Sequence, residues 1–355
     1  MSRARVSTLS ARWLGVLLPI AAAAQAQAVS PALLVLEKGN HSLAIVDPEK
    51  LEIVARVDAG NDPHEVVASE DGRFAYVSNY GAFSTPGHTL SVVDLVARRA
   101  LPAVDLGALR APHGLELADG KVYFTAEGSK TIGRYDPATR QIDWTLGLGQ
   151  DRTHMLVVSR DLQRVYTSNV NSDTVTILEP AKGGDVSGWT MAHVPVGKGP
   201  EGFDVSPDGK ELWAANSHDG TVSVVDVGAR KVLQTLTLNT KFANRLKFTP
   251  DGQRVLISDL GNGDLVILDA ATRREMKRIS VGRGAAGILI AGDGSRAFVA
   301  VSPDDCVAVV DLKSLSVTGR ISTGKGPDGM AWAVAAGTPA AQEYKLAKAV
   351  STRRP

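Results

Sequence analysis

The 355-residue chain contains a single cysteine, Cys306, within the apolar segment DCVAVVDL. One thiol rules out an internal disulfide framework, so stability has to come from an apolar core. The roughly 325 residues beyond the N-terminal segment are enough to bury one. Aromatic residues make up only 5% of the chain, and 39 Lys and Arg against 38 Asp and Glu leave a net charge of +1. Near-neutral charge carries no global signal for nucleic acid or an anionic membrane surface. A GxSxG elbow, a P-loop and a dinucleotide fingerprint in a strand–helix setting are all missing, so nothing in the motifs points to those chemistries.

Long hydrophobic runs are also scarce. WLGVLLPIAAAA (13–24) is well short of the roughly 20 apolar residues a spanning helix needs. Arg3, Arg5 and Arg12 precede or flank it, and the small-residue stretch AQAQA follows, with cleavage options after Ala26 or Ala28. Residues 1–28 therefore read as a secretory signal peptide, giving a soluble periplasmic protein without a membrane span after cleavage. No cysteine lies near the cleavage point, which argues against lipid attachment. At the other end, Lys345, Lys348, Arg353 and Arg354 make residues 336–355 a locally basic tail.

What the chain has in abundance is self-similarity, which outranks other signals. An apolar run ending in an acid recurs as LAIVD, LSVVD, IGRYD, VTILE, VSVVD, LVILD and VAVVD. It ends at Asp47, Asp94, Asp136, Glu179, Asp226, Asp269 and Asp311, at separations of 47, 42, 43, 47, 43 and 42. Each unit also carries a short run into a turn such as SPDG (206–209) or TPDG (249–252). Asp-Gly is hairpin punctuation, because glycine tolerates positive φ and Asp caps its own turn. A second strand (AYVSN, VYTSN, ELWAAN), a polar turn, the apolar-acidic strand and a fourth run complete the unit. Four short strands per unit and no convincing helix predict an all-β chain of four-stranded sheets. Asp47 to Asp311 sit in DP, DA and DL contexts and read as turn closers. Trp189, Trp213 and Trp332 fall on strands and are assigned to packing between sheets.

The segments AYVSN with LSVVDL (75–95) and GPEGFDVSPDGKELWAANSHDGTVSVVD (199–226) resemble the YVTN-type β-propeller repeat family, including its YncE-like periplasmic members. The resemblance covers nearly all of residues 29–335 and implies a seven-bladed β-propeller of four-stranded antiparallel blades. It leaves function open, since one scaffold hosts many activities. The N-terminal segment ALLVLEKGN matches a second strand and GPDGMAWAV (326–334) matches a first. The C-terminal strand should therefore close the ring by joining the N-terminal three, hiding two sheet edges.

In a propeller the first strand of each blade lines the central channel, so two columns of the repeat should meet at one mouth. The column placed immediately before the first strand reads His64, His113, His154, Glu201, Asn244, Ala286 and Asp328. The column at the end of the second strand reads Glu37, Asn79, Glu127, Asn169, Asn216, Asp259 and Val301. Three of the seven histidines thus recur at one point of the pattern, in NDPHEVV, RAPHGLE and DRTHMLV. Three imidazoles with the Glu201 carboxylate suit a borderline divalent ion: zinc, copper, iron or manganese. An oxygen-rich calcium site, as in some propeller lactonases, fits them less well. Glu127 or Glu201 would act as base in metal-assisted hydrolysis or elimination. Asn79, Asn169, Asn216, Asn244, Arg245, Asp259 and Asp328 are the ligand-binding candidates, or support the imidazoles. The plainer reading is that the column residues satisfy loop backbone and channel water, and that Asn closes the turn after the second strand. Which holds depends on whether three imidazoles reach one ion across the channel mouth. His88 and Tyr80 lie in a long insertion (80–88) that reads first as a surface loop and second as a lid over that mouth. Without catalysis, the same face would present a binding surface to a protein, a glycan or DNA, the last disfavoured by near-neutral charge. A closed ring needs no partner for stability, so a monomer is expected.

Overall fold

The computed structural model describes residues 31–82, 84–181 and 188–334. The expected signal peptide and basic tail lie outside these residues. The described chain forms seven four-stranded antiparallel sheets arranged as the blades of a propeller. Blade I combines the inner strand Pro327–Ala333 with Ala32–Glu37, Ser42–Asp47 and the outer strand Glu52–Asp58. The pairing Leu33↔Trp332, Val35↔Met330 and Glu37↔Pro327 realises the closure expected from the ends of the repeat. Blades II to VII follow in chain order, with inner strands Pro63–Ala68, Pro112–Ala118, Thr153–Val158, Pro200–Val205, Ala243–Phe248 and Ala285–Ile290.

Burial explains the sequence pattern. The middle strands, such as Ser42–Asp47 and Thr221–Asp226, are buried on both faces, because each blade is sandwiched between two others. They read as continuous apolar runs for that reason. The outer strands, such as Glu52–Asp58 and Ser316–Ser322, alternate, with one face in water. The apolar clusters each draw on two adjacent blades. Trp213, fully buried, packs across the blade V–VI interface on Phe248 at 5.6 Å between ring centroids. Trp332 of blade I meets Phe298 of blade VII at 5.4 Å, and Trp189 meets Trp144 at 5.5 Å. The acids ending the third strands cap their own turns: one Asp47 oxygen accepts the Glu49 and Lys50 amides, and Asp311 accepts those of Lys313 and Ser314. No helix among the described residues is long and apolar enough to cross a membrane.

The inner strands begin earlier than the sequence pattern suggested. His64, His113, His154, Glu201, Asn244, Ala286 and Asp328 are each the second residue of an inner strand, and do not precede it. The first residue pairs with the second strand (Pro63↔Asn79, Thr153↔Asn169, Pro200↔Asn216), and the register then shifts before Val66, Leu156 and Phe203. An irregularity of this kind re-aims side chains next to it.

Candidate metal centre

A repeated hydroxyl device fixes the carbonyls of three column residues. Ser78, one residue before Asn79 in the second strand of blade II, accepts the Glu65 amide at 3.1 Å and donates to the His113 carbonyl of blade III at 2.7 Å. Thr125 accepts Gly114 N–H and donates to the His154 carbonyl, both at 2.8 Å. Ser168 donates to the Glu201 carbonyl at 2.7 Å. These latches link blades II, III and IV to the blades that follow them. Gly114 is required beside them, because a Cβ there would lie 2.7 Å from the His154 carbonyl oxygen and 2.9 Å from Met155 Cα.

The column side chains converge more tightly than the width of a seven-bladed ring suggests. Ring centroids of His64 and His113 are 4.7 Å apart, and those of His113 and His154 only 3.8 Å. His113 and His154 are 3% exposed. His154 Nδ1 lies 2.5 Å from Glu127 Oε1, and its Nε2 3.7 Å from Glu201 Oε2. Ligand atoms of His113, Glu127 and His154 all fall within 4.8 Å of one another. His113 Nδ1 and His154 Nε2 are buried and have no hydrogen-bond partner among the described residues. Burial pushes the His113 pKa well below its ordinary value, and the neighbouring His154 and His64 push it further down. A neutral imidazole with an available lone pair is the form that ligates metal. Burial pushes the Glu127 carboxyl up, but His154, a hydrogen bond from Tyr80 and the Arg152 charge outweigh this and hold it below its usual value.

His64 is engaged elsewhere. Its Nε2 is 3.0 Å from Lys38 Nζ and its Nδ1 3.2 Å from the Asp62 carbonyl oxygen. The ammonium has no acceptor capacity and the carbonyl no donor, so Nδ1 carries the proton and Nε2 receives Lys38. Burial, then the Lys38 charge, lowers the His64 pKa to about 4. Lys38 also reaches Asp328 at 3.2 Å. The structure thus brings His113 and His154 together with Glu127, and holds His64 beside them on Lys38. Glu201 accepts the Asn244 amide at 2.9 Å on the far side of His154. Arg245 crosses the channel to Glu65 of blade II at 2.7 Å, both side chains nearly buried. Their ion pair lies one residue along from the His64 and Asn244 column positions.

Most of the second column turns into its own blade. Asn79 donates to Thr89 and Ser91, Asn169 to Thr174 and Thr176, and Asn216 to Thr221 and Ser223. Asp259 accepts backbone amides of Lys241, Phe242, Gly261 and Asn262. Glu37 binds Arg56 and the Gly324 amide. Glu127 escapes this fate because it is not in the column. The residue paired with Pro112 is Ala126, as Asn79 is with Pro63, so Glu127 stands one position later, level with Tyr80 and Lys38. That later position is the one that faces the imidazoles. Tyr80 Oη donates to Glu127 Oε2 at 2.7 Å, and burial, then Glu127, raises its pKa so that it stays a donor. Arg152 lies 3.6 Å from Glu127 and 3.5 Å from Glu201.

Lys38, Tyr80 and Arg152 were not singled out as site residues by the repeat, although the column after Asn79 contains the first two. The insertion lengthens a hairpin, with Gly81↔Pro86 and Ala82↔Thr85 paired, and Tyr80 at its base reaches the cluster. His88 instead faces Asp105 at 3.0 Å. A cavity of about 800 Å³ lies beside this hairpin, lined by Asn61, Asn79, His88 and Arg110 among others, and does not include the cluster.

No protein-family model matches the chain, and no curated protein matches it. Solved structures do. A functionally unknown protein from Desulfotomaculum acetoxidans superposes with a TM-score of 0.71 at 13% identity, over 86% of this chain and 100% of that one. A Bacteroides fragilis protein provisionally assigned as a 6-phosphogluconolactonase gives 0.69 at 15%, over 86% and 99%. A dihydro-heme d1 dehydrogenase, NirN, gives 0.61 at 16%, over 92% and 78%. At such identities the likeness is one of fold, the seven-bladed propeller; the YVTN-type resemblance rests on the segments quoted above.

Proposed function

We propose that this chain is an exported metal-dependent hydrolase or lyase acting on a small carbonyl compound such as a lactone. In this reading a divalent ion is held by His113, His154 and Glu127 at one mouth of the propeller. The observation that carries it is the convergence of His113, His154 and Glu127, each with a ligand atom within 4.8 Å of the others, while His113 Nδ1 and His154 Nε2 are buried without a partner among the described residues. Buried polar atoms are nearly always satisfied, so two such nitrogens on rings 3.8 Å apart call for a partner. Charge agrees: the carboxylates Glu65, Glu127, Glu201 and Asp328 outnumber the cations Lys38, Arg152 and Arg245 around the cluster, so a cation there meets an excess of acidic groups. Two nitrogens and one carboxylate oxygen match a three-ligand zinc-type site with a position for water.

Such an ion supplies acidified water or polarises a carbonyl. The chain's own contributions are distinct. Tyr80 holds Glu127 in place as a ligand, so it is poorly placed to move protons. Glu201, on the other flank of His154 and oriented by Asn244, is the base. Lys38, partly exposed beside His64, offers a cation to charge developing on the substrate. The provisional lactonase assignment of the Bacteroides fragilis protein with the same fold suggests the substrate class.

Purified protein should be assayed against a panel of aldonolactones and small esters, after chelation and again with zinc or manganese. Turnover that appears only with metal and disappears in His113→Ala supports the proposal. Turnover indifferent to both, or none with any substrate despite bound metal, would leave the channel face as a binding surface for a protein or glycan.

A further inference from the structure

Arg152 reaches inward from the rim. Its side chain is 37% exposed, while the two carboxylates it faces, Glu127 and Glu201, are 4% and 6% exposed. Its carbonyl is fixed by the Val170 amide at 3.0 Å, so the backbone is anchored while the long side chain can move. At 3.6 and 3.5 Å both ion pairs are longer than the roughly 2.8 Å of a charge-assisted hydrogen bond. The guanidinium therefore supplies charge to the two acids without being locked to either.

We propose that Arg152 is a resident counter-ion that a divalent metal displaces, and that, once displaced, it anchors a carboxylate-bearing ligand beside the metal. The proposal rests on the metal-centre reading above. A dication held by Glu127 takes over the charge that Arg152 now balances. It also repels the guanidinium at short range, where exclusion of water strengthens Coulomb forces. Arg152 then becomes a surplus cation at the open side of the cluster. Its planar fork matches a carboxylate in two parallel hydrogen bonds. Metal and anion binding are thereby coupled, and each tightens the other by the same factor. Lys38 is not the displaced counter-ion, since its ion pair is with Asp328, at 3.2 Å, and not with Glu127.

Calorimetric titration with zinc tests this on the wild type, Arg152→Gln and Arg152→Lys, each in sodium acetate and in sodium perchlorate of equal ionic strength. In perchlorate, Arg152→Gln should bind zinc about tenfold more tightly than wild type, a difference of about 1.4 kcal/mol. Arg152→Lys, which keeps the charge, should return to the weaker value. Acetate should tighten zinc binding by the wild type and not by Arg152→Gln. Equal or weaker zinc binding by Arg152→Gln overturns the counter-ion role, and an acetate effect that is absent or survives in Arg152→Gln overturns the anion role. If none of the three proteins binds zinc, the metal centre itself falls, a result distinct from either.

Discussion

Thr125 offers a sharp test of how the site is held. Its side chain is fully buried, accepts the Gly114 amide and donates to the His154 carbonyl, each at 2.8 Å. Thr125→Val keeps the shape and removes both bonds. Two backbone groups are then stranded in the blade III–IV interface, at about 1–3 kcal/mol each, offset by about 1 kcal/mol from an added buried methyl group. The expected loss of stability is about 3 kcal/mol, read from urea unfolding of the metal-free protein with the slope checked for two-state behaviour. Thr125→Ser keeps the hydroxyl and should lose only about 1 kcal/mol from the missing methyl. A Val variant no less stable than the Ser variant would refute the latch.

Three further outcomes follow from the same contacts. Glu65→Gln leaves Arg245 buried with a weakened partner and should destabilise by about 3 kcal/mol, whereas Glu65→Met with Arg245→Met should come within about 1 kcal/mol of wild type in urea unfolding. Tyr80→Phe removes the hydrogen bond on Glu127 and should weaken zinc binding about 10-fold or more with little effect on unfolding. In metal-free protein, His64 is held neutral down to about pH 4, below the usual histidine value of about 6.5 that applies when unfolded. Between these values the unfolded chain binds a proton that the native one does not. Stability is therefore full above about pH 6.5 and falls by about 3 kcal/mol towards pH 4, and His64→Gln should lose that share of the pH dependence in denaturant titrations.

Much of the architecture was legible because a propeller repeats its physics: the spacing of Asp47 to Asp311, the Asp-Gly turns and the half-blades at each end predicted seven blades and the closing strand. The mouth column was also legible, and the structure brings His113, His154 and Glu201 together there. Glu127 was named through a one-residue misalignment, since Ala126 is the true counterpart of Asn79. Its acid reaches the site because it lies one step beyond the blade-facing column. The Asn side chains were harder to place, because an amide that satisfies Thr and Ser hydroxyls within a blade has the same spacing as one that lines a channel. Lys38 and Arg152 depended on distances between blades that no local pattern encodes, and Ser78, Thr125 and Ser168 look like ordinary strand residues until the next blade is in place.

Whether a metal is held by His113, His154 and Glu127 and not by His64 is tested most directly by zinc stoichiometry and affinity for the untagged protein, His64→Gln, and the double variant His113→Ala with His154→Ala, each checked for folding by circular dichroism. One equivalent should be bound by the wild type and by His64→Gln, and none by the folded double variant. Zinc bound equally by the double variant, or not bound by the wild type, would contradict that assignment.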